Sequence, residues 1–291
     1  MNSHNIALGT AQIGMSYGVA NQPGQISRNE AAAILEYAWS SGMDTLDTAI
    51  AYGESEIRLG KIGVGRWKVI SKLPAIPEPC PDVDGWVQEM VRGSLERLKT
   101  VRLRGLLVHR SQQLLGQRGV ALYRALAAIK DQGLVEKIGV SIYSPNELDT
   151  LWPDFQLDLV QAPFNIFDRH LVTSGWLTRL SQAGTEVHVR SVFLQGLLLM
   201  EASKRPAIFD RWLPLWEQWH RWLDDRMLTS LQACLGFLAS EPEIDRVVVG
   251  VDSLKQMQEI INNVEAPAVM PPETLMSEDL DLIDPSRWSV F

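Results

Sequence analysis

Short apolar runs alternate along this chain with longer segments in which apolar residues recur at helical spacing. Short apolar runs bounded by polar turns predict buried strands, and i, i+3, i+4 spacing predicts amphipathic helices. Eight strands are predicted, at residues 6–12, from 44 onward, 68–73, 103–109, 137–142, 157–161, 186–190 and 244–249. Helices are predicted at 31–41, 55–61, 84–99, 119–132, after 145, and at 171–183, 207–241 and 253–263. Eight strand-helix units predict an α/β protein, a (β/α)8 TIM barrel.

The barrel is predicted to form one domain over residues 1–291, with a Trp-rich helical insertion at about 197–227 and an irregular tail at about 265–291. A doubly wound open sheet is the competing architecture, because periodicity does not separate the two. That fold binds dinucleotides through glycines that follow its first strand. Here the only comparable glycines, at 60, 63 and 65, precede the third strand, which favours the barrel.

Composition narrows the function classes. The chain has 46% hydrophobic residues, 21% charged residues and a net charge of -8, which is typical of a globular protein and argues against a nucleic-acid or anionic membrane surface. No basic-then-apolar signal or spanning apolar run is visible, so a cytoplasmic protein is expected. Two distant cysteines and five histidines without metal-ligand spacing predict neither a disulfide framework nor a metal site.

Four polar residues fall at or just beyond the carboxyl ends of successive strands: Asp47, Tyr52, Lys72 and His109. These ends converge on one face of a barrel, so the four side chains are predicted to share a pocket. A lysine beside a tyrosine favours the phenolate and is expected to lower its pKa, while the aspartate holds the lysine charged. Tyr52 could then transfer a proton to a carbonyl oxygen that His109 also binds.

The sequence resembles the aldo-keto reductase superfamily. Residues 47–56, DTAIAYGESE, are similar to the family signature around its catalytic Asp and Tyr, and the segments 71–73 and 107–109 are similar to the strand ends that carry its Lys and His. Further similarity covers nearly the whole chain in the family's order, at 8–10, 139–141, 160–161, 190–197 and 250–259. The resemblance implies reversible hydride transfer between a nicotinamide cofactor and an aldehyde, ketone or sugar.

The resemblance also implies residue roles. Tyr52 would be the general acid/base, Lys72 its modulator, Asp47 the partner of Lys72, and His109 the residue that orients the substrate carbonyl. Tyr17, in the loop after the first strand, is a candidate for the substrate pocket together with Tyr52 and His109. The candidate cofactor-binding residues are Gly9, Thr10, Asp47, Ser141, Gln161, Arg190, Ser191, Phe193, Gly196, Gly250, Asp252, Gln256 and Glu259. Within that set, Ser141 and Gln161 match positions that hold the nicotinamide carboxamide, and Glu259 matches an adenine contact.

Three departures from the family pattern change the expectation. Ile142 stands where a second carboxamide contact is usual, and Arg190 replaces the ring that commonly stacks on the nicotinamide. The segment from Gly250 to Gln256, where a basic clamp often holds the 2'-phosphate of NADPH, contains Asp252 and a single cation, Lys255. Because Asp252 would repel a phosphate dianion, the cofactor is NADPH or NADH, with NADH a serious alternative.

Two functions follow from these observations. The first is an NAD(P)H-dependent reductase of a small-molecule carbonyl or sugar. The second is a nicotinamide-binding regulatory protein with little or no turnover, motivated by the altered clamp, Ile142 and the tryptophans at 212, 216, 219 and 222. A protein partner or a homo-oligomer stays open, while neither a nucleic acid nor a membrane is expected. Packing of the tryptophan helix on the barrel is favoured over a partner surface.

Overall fold

The computed structural model describes residues 1–21 and 24–290, so residue 291 of the predicted tail lies outside the described part. Eight parallel strands, each paired with the next, close into a barrel when β8 pairs with β1. The strands are β1 Ile6–Gly9, β2 Thr45–Asp47, β3 Lys68–Leu73, β4 Leu103–Val108, β5 Val135–Ser141, β6 Leu159–Pro163, β7 Glu186–Arg190 and β8 Arg246–Gly250. The predicted (β/α)8 barrel is therefore confirmed, and the open sheet is excluded.

Helices follow the strands on the outside of the barrel. They are α1 Ala11–Gly14, α2 Arg28–Ser40, α3 Ser55–Ile62, α4 Val83–Leu98, α5 Gly119–Asp131, α6 Asn146–Leu151, α7 His170–Thr173, α8 Trp176–Gln182, α9 Leu213–Arg226, α10 Ser230–Leu238, α11 Leu254–Asn263 and α12 Leu280–Ile283. No helix in the described ranges is long and apolar enough to cross a membrane.

The barrel interior is filled by a separate buried cluster of Ile70, Leu107 and Leu159. Side chains two residues apart on a strand point to the same face. Ile70 therefore shares its face with Lys72, and Leu159 shares its face with Gln161. This apolar layer lies directly beneath polar side chains at the carboxyl ends of the strands, so it forms the floor of the site.

Several predicted boundaries were wrong for local reasons. The first strand ends at Gly9 instead of residue 12, because the chain turns into α1 at Ala11. The helix predicted over 171–183 is two helices, separated at Gly175, whose φ of 77° interrupts the helical backbone. The region 207–241 likewise divides where Met227, at φ 53°, ends α9.

Two further differences concern helix ends. The N-cap of α4 is Asp82, whose carboxylate accepts from the N–H of Gly85, so the helix begins at Val83, one residue before the predicted start. The tail predicted as irregular contains the short helix α12, capped by Asp279.

The tryptophan-rich helix α9 packs on the barrel. Trp216, Trp219 and Trp222 are buried, and Phe167 contacts the rings of the first two at centroid distances of 5.0 and 6.1 Å. The indole N–H of Trp216 donates to the carbonyl of Phe209. The packing interpretation of these three tryptophans is thus confirmed.

Candidate active site

The four predicted polar residues come together at the carboxyl face of the barrel. Asp47 ends β2, Lys72 is the penultimate residue of β3, and His109 directly follows β4. Tyr52 lies in the turn between β2 and α3, where its N–H donates to the carbonyl of Ala49. Parallel strands bring these chain positions to one rim, as the sequence predicted.

Lys72 and Asp47 form a buried ion pair at the centre of this rim. Lys72 Nζ lies 2.6 Å from Asp47 Oδ1, and their side chains are 1% and 6% exposed. Lys72 Nζ also donates to the carbonyl of Thr48, and Gln161 Nε2 donates to Asp47 Oδ2 at 2.7 Å. Burial lowers the pKa of Lys72, while the charge and hydrogen bond of Asp47 oppose that shift. The two oxygens of Asp47 are therefore held by side chains from two other strands, the adjacent β3 and the more distant β6.

The Tyr52 ring contacts Lys72 and His109. Its ring centroid lies 5.3 Å from Lys72 Nζ and 5.9 Å from the His109 ring, which meets it edge-on at 78°. Burial raises the pKa of the Tyr52 hydroxyl, and the Asp47 carboxylate raises it further. The predicted lowering of this pKa by Lys72 is therefore wrong for this structure. The desolvation of a phenolate and its repulsion by the Asp47 carboxylate together outweigh the attraction of the Lys72 ammonium.

His109 is neutral at physiological pH. Burial lowers its pKa to about 4, and the positive charges of Lys72 and Arg190 add to the shift. A neutral imidazole has one N–H donor, which suits hydrogen bonding to a carbonyl oxygen. Tyr52 and His109 thus present two neutral donors on the rim.

A cleft of about 400 Å³ extends from this group across the carboxyl face. Eleven of the predicted cofactor-binding residues line it: Gly9, Thr10, Asp47, Arg190, Ser191, Phe193, Gly196, Gly250, Asp252, Gln256 and Glu259. Tyr17 and Tyr52 also contribute to the wall. Lys72, His109, Ser141 and Gln161 lie outside the lining that the described residues form, although Lys72 and Gln161 hydrogen-bond to Asp47, which is part of it.

Arg190 occupies the end of the cleft beside the polar group. Its guanidinium packs 4.7 Å from the centroid of the Tyr143 ring and donates to the carbonyl of Ile142 at 2.9 Å. The planar group is fixed by these contacts, so it presents a flat cationic surface. Tyr143 was not predicted as a site residue; its place directly after the departure at Ile142 was the available signal.

The loop after β7 forms the middle of the wall. Ser191, Leu194, Gln195 and Gly196 all have positive φ, between 49° and 87°, which wraps the backbone tightly around the cleft. A Cβ on Gly196 would lie 2.5 Å from Ala20 Cβ, so glycine is required where this loop meets the loop after β1. Gln12 of α1 and Asn21 of the loop that follows α1 also line the cleft and were not predicted; Gln12 was assigned to the strand predicted at 6–12.

The residues present fit a nicotinamide dinucleotide. Gln161 Oε1 is a buried acceptor with no hydrogen-bond partner among the described residues, at the position matched to a carboxamide contact. Buried polar atoms are normally satisfied, so an amide donor from a ligand would complete this group. The elongated cleft, with a tight loop at its middle, accommodates the remaining length of such a molecule.

An eight-stranded α/β barrel with a buried lysine–aspartate pair and a long cleft at its carboxyl face is typical of the barrel oxidoreductases. The sequence model described as the Aldo/keto reductase family matches residues 5–272, and the chain belongs to that family.

Relatives agree with this assignment. A Pseudomonas sp protein named D-threo-aldose 1-dehydrogenase is 26% identical over 240 residues, which cover 70% of this chain and 73% of that protein. Two solved structures share the fold: an aldo-keto reductase from Bacillus halodurans in its holo form, and a glycerol dehydrogenase from Gluconobacter oxydans. Both are 19% identical and cover 91% of this chain and 88% of theirs, with TM-scores of 0.73 and 0.70.

Proposed function

We propose that this protein uses a nicotinamide dinucleotide, NADH or NADPH, to reduce an aldehyde, ketone or sugar carbonyl reversibly to an alcohol. The observation that carries the proposal is the buried Lys72–Asp47 pair beside Tyr52 at the head of the cleft. An ion pair removed from water in this way is expensive to maintain, and its place at the rim favours a role in chemistry over one in folding.

Each of the four polar residues has its own role in the proposed reaction. Tyr52 keeps its proton at neutral pH and donates it to the carbonyl oxygen during reduction; in the reverse direction it accepts that proton. His109 donates a second hydrogen bond to the same oxygen and fixes the orientation of the carbonyl. Lys72 stabilises the phenolate that forms as Tyr52 loses its proton, and Asp47 holds Lys72 in place. The nicotinamide, when bound, supplies or accepts the hydride.

A sugar is the substrate class that the relatives favour. The Pseudomonas sp relative is named for an aldose, and the Gluconobacter oxydans neighbour for the polyol glycerol. Tyr17 lines the cleft near Tyr52, and Tyr143 packs against Arg190 just outside the lining; aromatic rings with polar tips suit polyhydroxylated ligands.

One observation that motivated the alternative, a nicotinamide-binding regulatory protein, no longer supports it. The tryptophan-rich helix was one motive for this alternative, but Trp216, Trp219 and Trp222 are buried, as the favoured packing interpretation predicted. Ile142 and the altered clamp are compatible with turnover, since neither removes a member of the Asp47, Tyr52, Lys72 and His109 group. We therefore place the reductase first.

Tyr52→Phe tests the proposal. With NADH and NADPH and a panel of aldehydes, ketones and aldoses, kcat/KM is expected to fall about 10²- to 10⁴-fold, because the general acid is lost. Cofactor affinity should stay within about twofold of wild type, since the ring is retained. Tyr37→Phe, on α2 outside the cleft, is the matched control and should keep full activity. Undiminished turnover in Tyr52→Phe would overturn the assignment of Tyr52.

A further inference from the structure

The two ends of the cleft differ in charge. Arg190 is the one basic residue in the lining formed by the described residues, and it lies beside Tyr52. The far end is formed by the turn between β8 and α11, which contributes the Asp252 carboxylate, and by α11 itself, which contributes the Glu259 carboxylate. In the proposed function the nicotinamide lies beside Tyr52, so the adenosine half of the cofactor must lie at this acidic end.

The N-terminus of α11 would ordinarily favour a phosphate group. Exposed N–H groups and the helix dipole both attract anions at such a place. Here two of these donors are already used: the N–H of Leu254 donates to Glu30 Oε1 at 2.6 Å, and the N–H of Gln256 donates to Ser253 Oγ at 3.2 Å. The N–H of Asp252 donates to Gln256 Oε1 at 2.7 Å. A ligand phosphate would have to displace these partners.

The Glu30 side chain extends from α2 to the N-terminus of α11. Ser27 and Glu30 have the spacing of a capping box, and half of it forms at the start of α2, because Ser27 Oγ accepts from the N–H of Glu30. The Glu30 carboxylate does not return to the N-cap but bonds to the first residue of α11. A negative side chain thus occupies the positive end of the α11 dipole.

Asp252 adds a second carboxylate on the cleft wall. Asn21, from the loop after β1, donates to Asp252 Oδ1 at 2.7 Å and holds the side chain against the cleft. The nearest cation in sequence, Lys255, is 84% exposed and has Glu259 as its partner at 3.9 Å. Lys255 is therefore no substitute for a clamp on a ribose phosphate.

From this arrangement we infer that Glu30 and Asp252 make the protein selective for NADH and against NADPH. The inference rests on the proposed function and deepens it. Asp252 can accept a hydrogen bond from a ribose 2'-hydroxyl, as acidic residues do in other NAD sites. A 2'-phosphate dianion would instead meet the Asp252 carboxylate on the cleft wall and a helix N-terminus that the Glu30 carboxylate already caps, with two of its N–H donors taken.

Dissociation constants for NADH and NADPH, measured by fluorescence titration without substrate, test the inference. Wild type is expected to bind NADH at least about tenfold more tightly, as a desolvated like-charge contact requires. Glu30→Gln keeps an acceptor for the Leu254 N–H, and Asp252→Asn keeps an acceptor for Asn21. The double variant should therefore fold normally and bind NADPH about tenfold more tightly than wild type, with NADH affinity changed less than about threefold.

Glu36→Gln is the matched control, because Glu36 lies on the same helix as Glu30 but pairs with Arg66 on the surface. It should leave both constants unchanged. Equal or tighter binding of NADPH by wild type would overturn the inference, as would a double variant that gains affinity for both cofactors alike. Turnover that prefers NADPH would support the proposed reductase activity and contradict the NADH selectivity. Selective NADH binding without Tyr52-dependent turnover would support the selectivity and contradict the reductase activity.

Discussion

At the scale of single residues, the Lys72–Asp47 pair has a structural and a chemical role that variants can separate. Removing the ammonium in Lys72→Met leaves Asp47 charged and buried, with only Gln161 to bond it. Breaking a buried pair from one side costs about 3 to 5 kcal/mol, so the free energy of unfolding in urea should fall by that amount. Turnover should be lost in the same variant.

The double variant Asp47→Asn/Lys72→Met distinguishes the two roles. It removes both charges and keeps an amide oxygen to accept from Gln161, so most of the lost stability should return. Turnover should not return, because the Lys72 ammonium that stabilises the phenolate of Tyr52 is still missing. A double variant that regained turnover along with stability would show that the pair serves the fold alone.

The sequence predicted the meeting of these side chains but not their electrostatics. Strand order and spacing sufficed to bring Asp47, Lys72 and His109 to one rim, because parallel strand ends converge. The raised pKa of Tyr52 depends on burial and on how completely Asp47 neutralises Lys72, which are tertiary quantities. The hydrogen bond from the Leu254 N–H to the Glu30 carboxylate was not predicted for a similar reason. The spacing of Ser27 and Glu30 already accounted for the glutamate as part of a capping box, without a contact to α11.

At the scale of elements, apolar periodicity predicted the number and order of the strands more accurately than it predicted where each strand ends. β3 and β7 occupy the predicted residues, whereas the first strand was drawn three residues too long. Residues 10–13 alternate polar and apolar as a strand does, and only the packing of α1 beneath the turn that carries Tyr52 decides that they are helical. Such a contact joins segments some forty residues apart and leaves no local pattern.

Gly14, the last residue of α1, positions that turn. A Cβ at this residue would lie 1.8 Å from the carbonyl oxygen of Tyr52 and 2.6 Å from the nitrogen of Ser55. Gly14→Ala should therefore push the Tyr52 turn outward, lowering kcat at least tenfold and destabilising the protein by about 1 to 3 kcal/mol. Steady-state kinetics and urea unfolding would measure the two effects.

Gly65→Ala is the control for Gly14→Ala. A Cβ on Gly65 meets no atom within 4 Å, and its φ is not in the left-handed region. The control should keep wild-type kinetics and lose no more than a few tenths of a kcal/mol. Normal turnover in Gly14→Ala would show that α1 does not set the position of Tyr52.

At the scale of the whole molecule, the two ends of the barrel are specialised differently. The carboxyl end carries the cleft, and the opposite end is bound together by ion pairs centred on Glu186 at the start of β7. Arg104 of β4 and Lys137 of β5 pair with Glu186 Oε2 at 2.8 and 2.6 Å, and His188 bonds to Oε1 at 2.7 Å. Three strands are thus joined through one carboxylate, away from the chemistry.

Glu186 makes stability depend on acid pH. Burial by itself would raise its pKa, but the hydrogen bonds from His188 and Lys137 outweigh burial and hold the pKa well below the ordinary value. Because the pKa of Glu186 is lower in the folded state than in the unfolded state, its ionisation stabilises the fold fully at pH values above the unfolded-state pKa of about 4.3. That stabilisation is lost as the pH falls from there toward the folded-state pKa. Acid should therefore weaken the closure of this end of the barrel.

Glu186→Gln tests this at two pH values. At pH 7 it should lower the free energy of unfolding by about 2 to 4 kcal/mol, since Lys137 and Arg104 lose their shared counter-charge in a mostly buried place. The deficit should shrink at pH 3, where unfolding favours protonation of the wild-type carboxylate. Glu136→Gln, whose carboxylate is 35% exposed and also pairs with Arg104, should cost under about 1 kcal/mol. A deficit that stays the same at both pH values would mean that Glu186 stabilises by packing, without its charge.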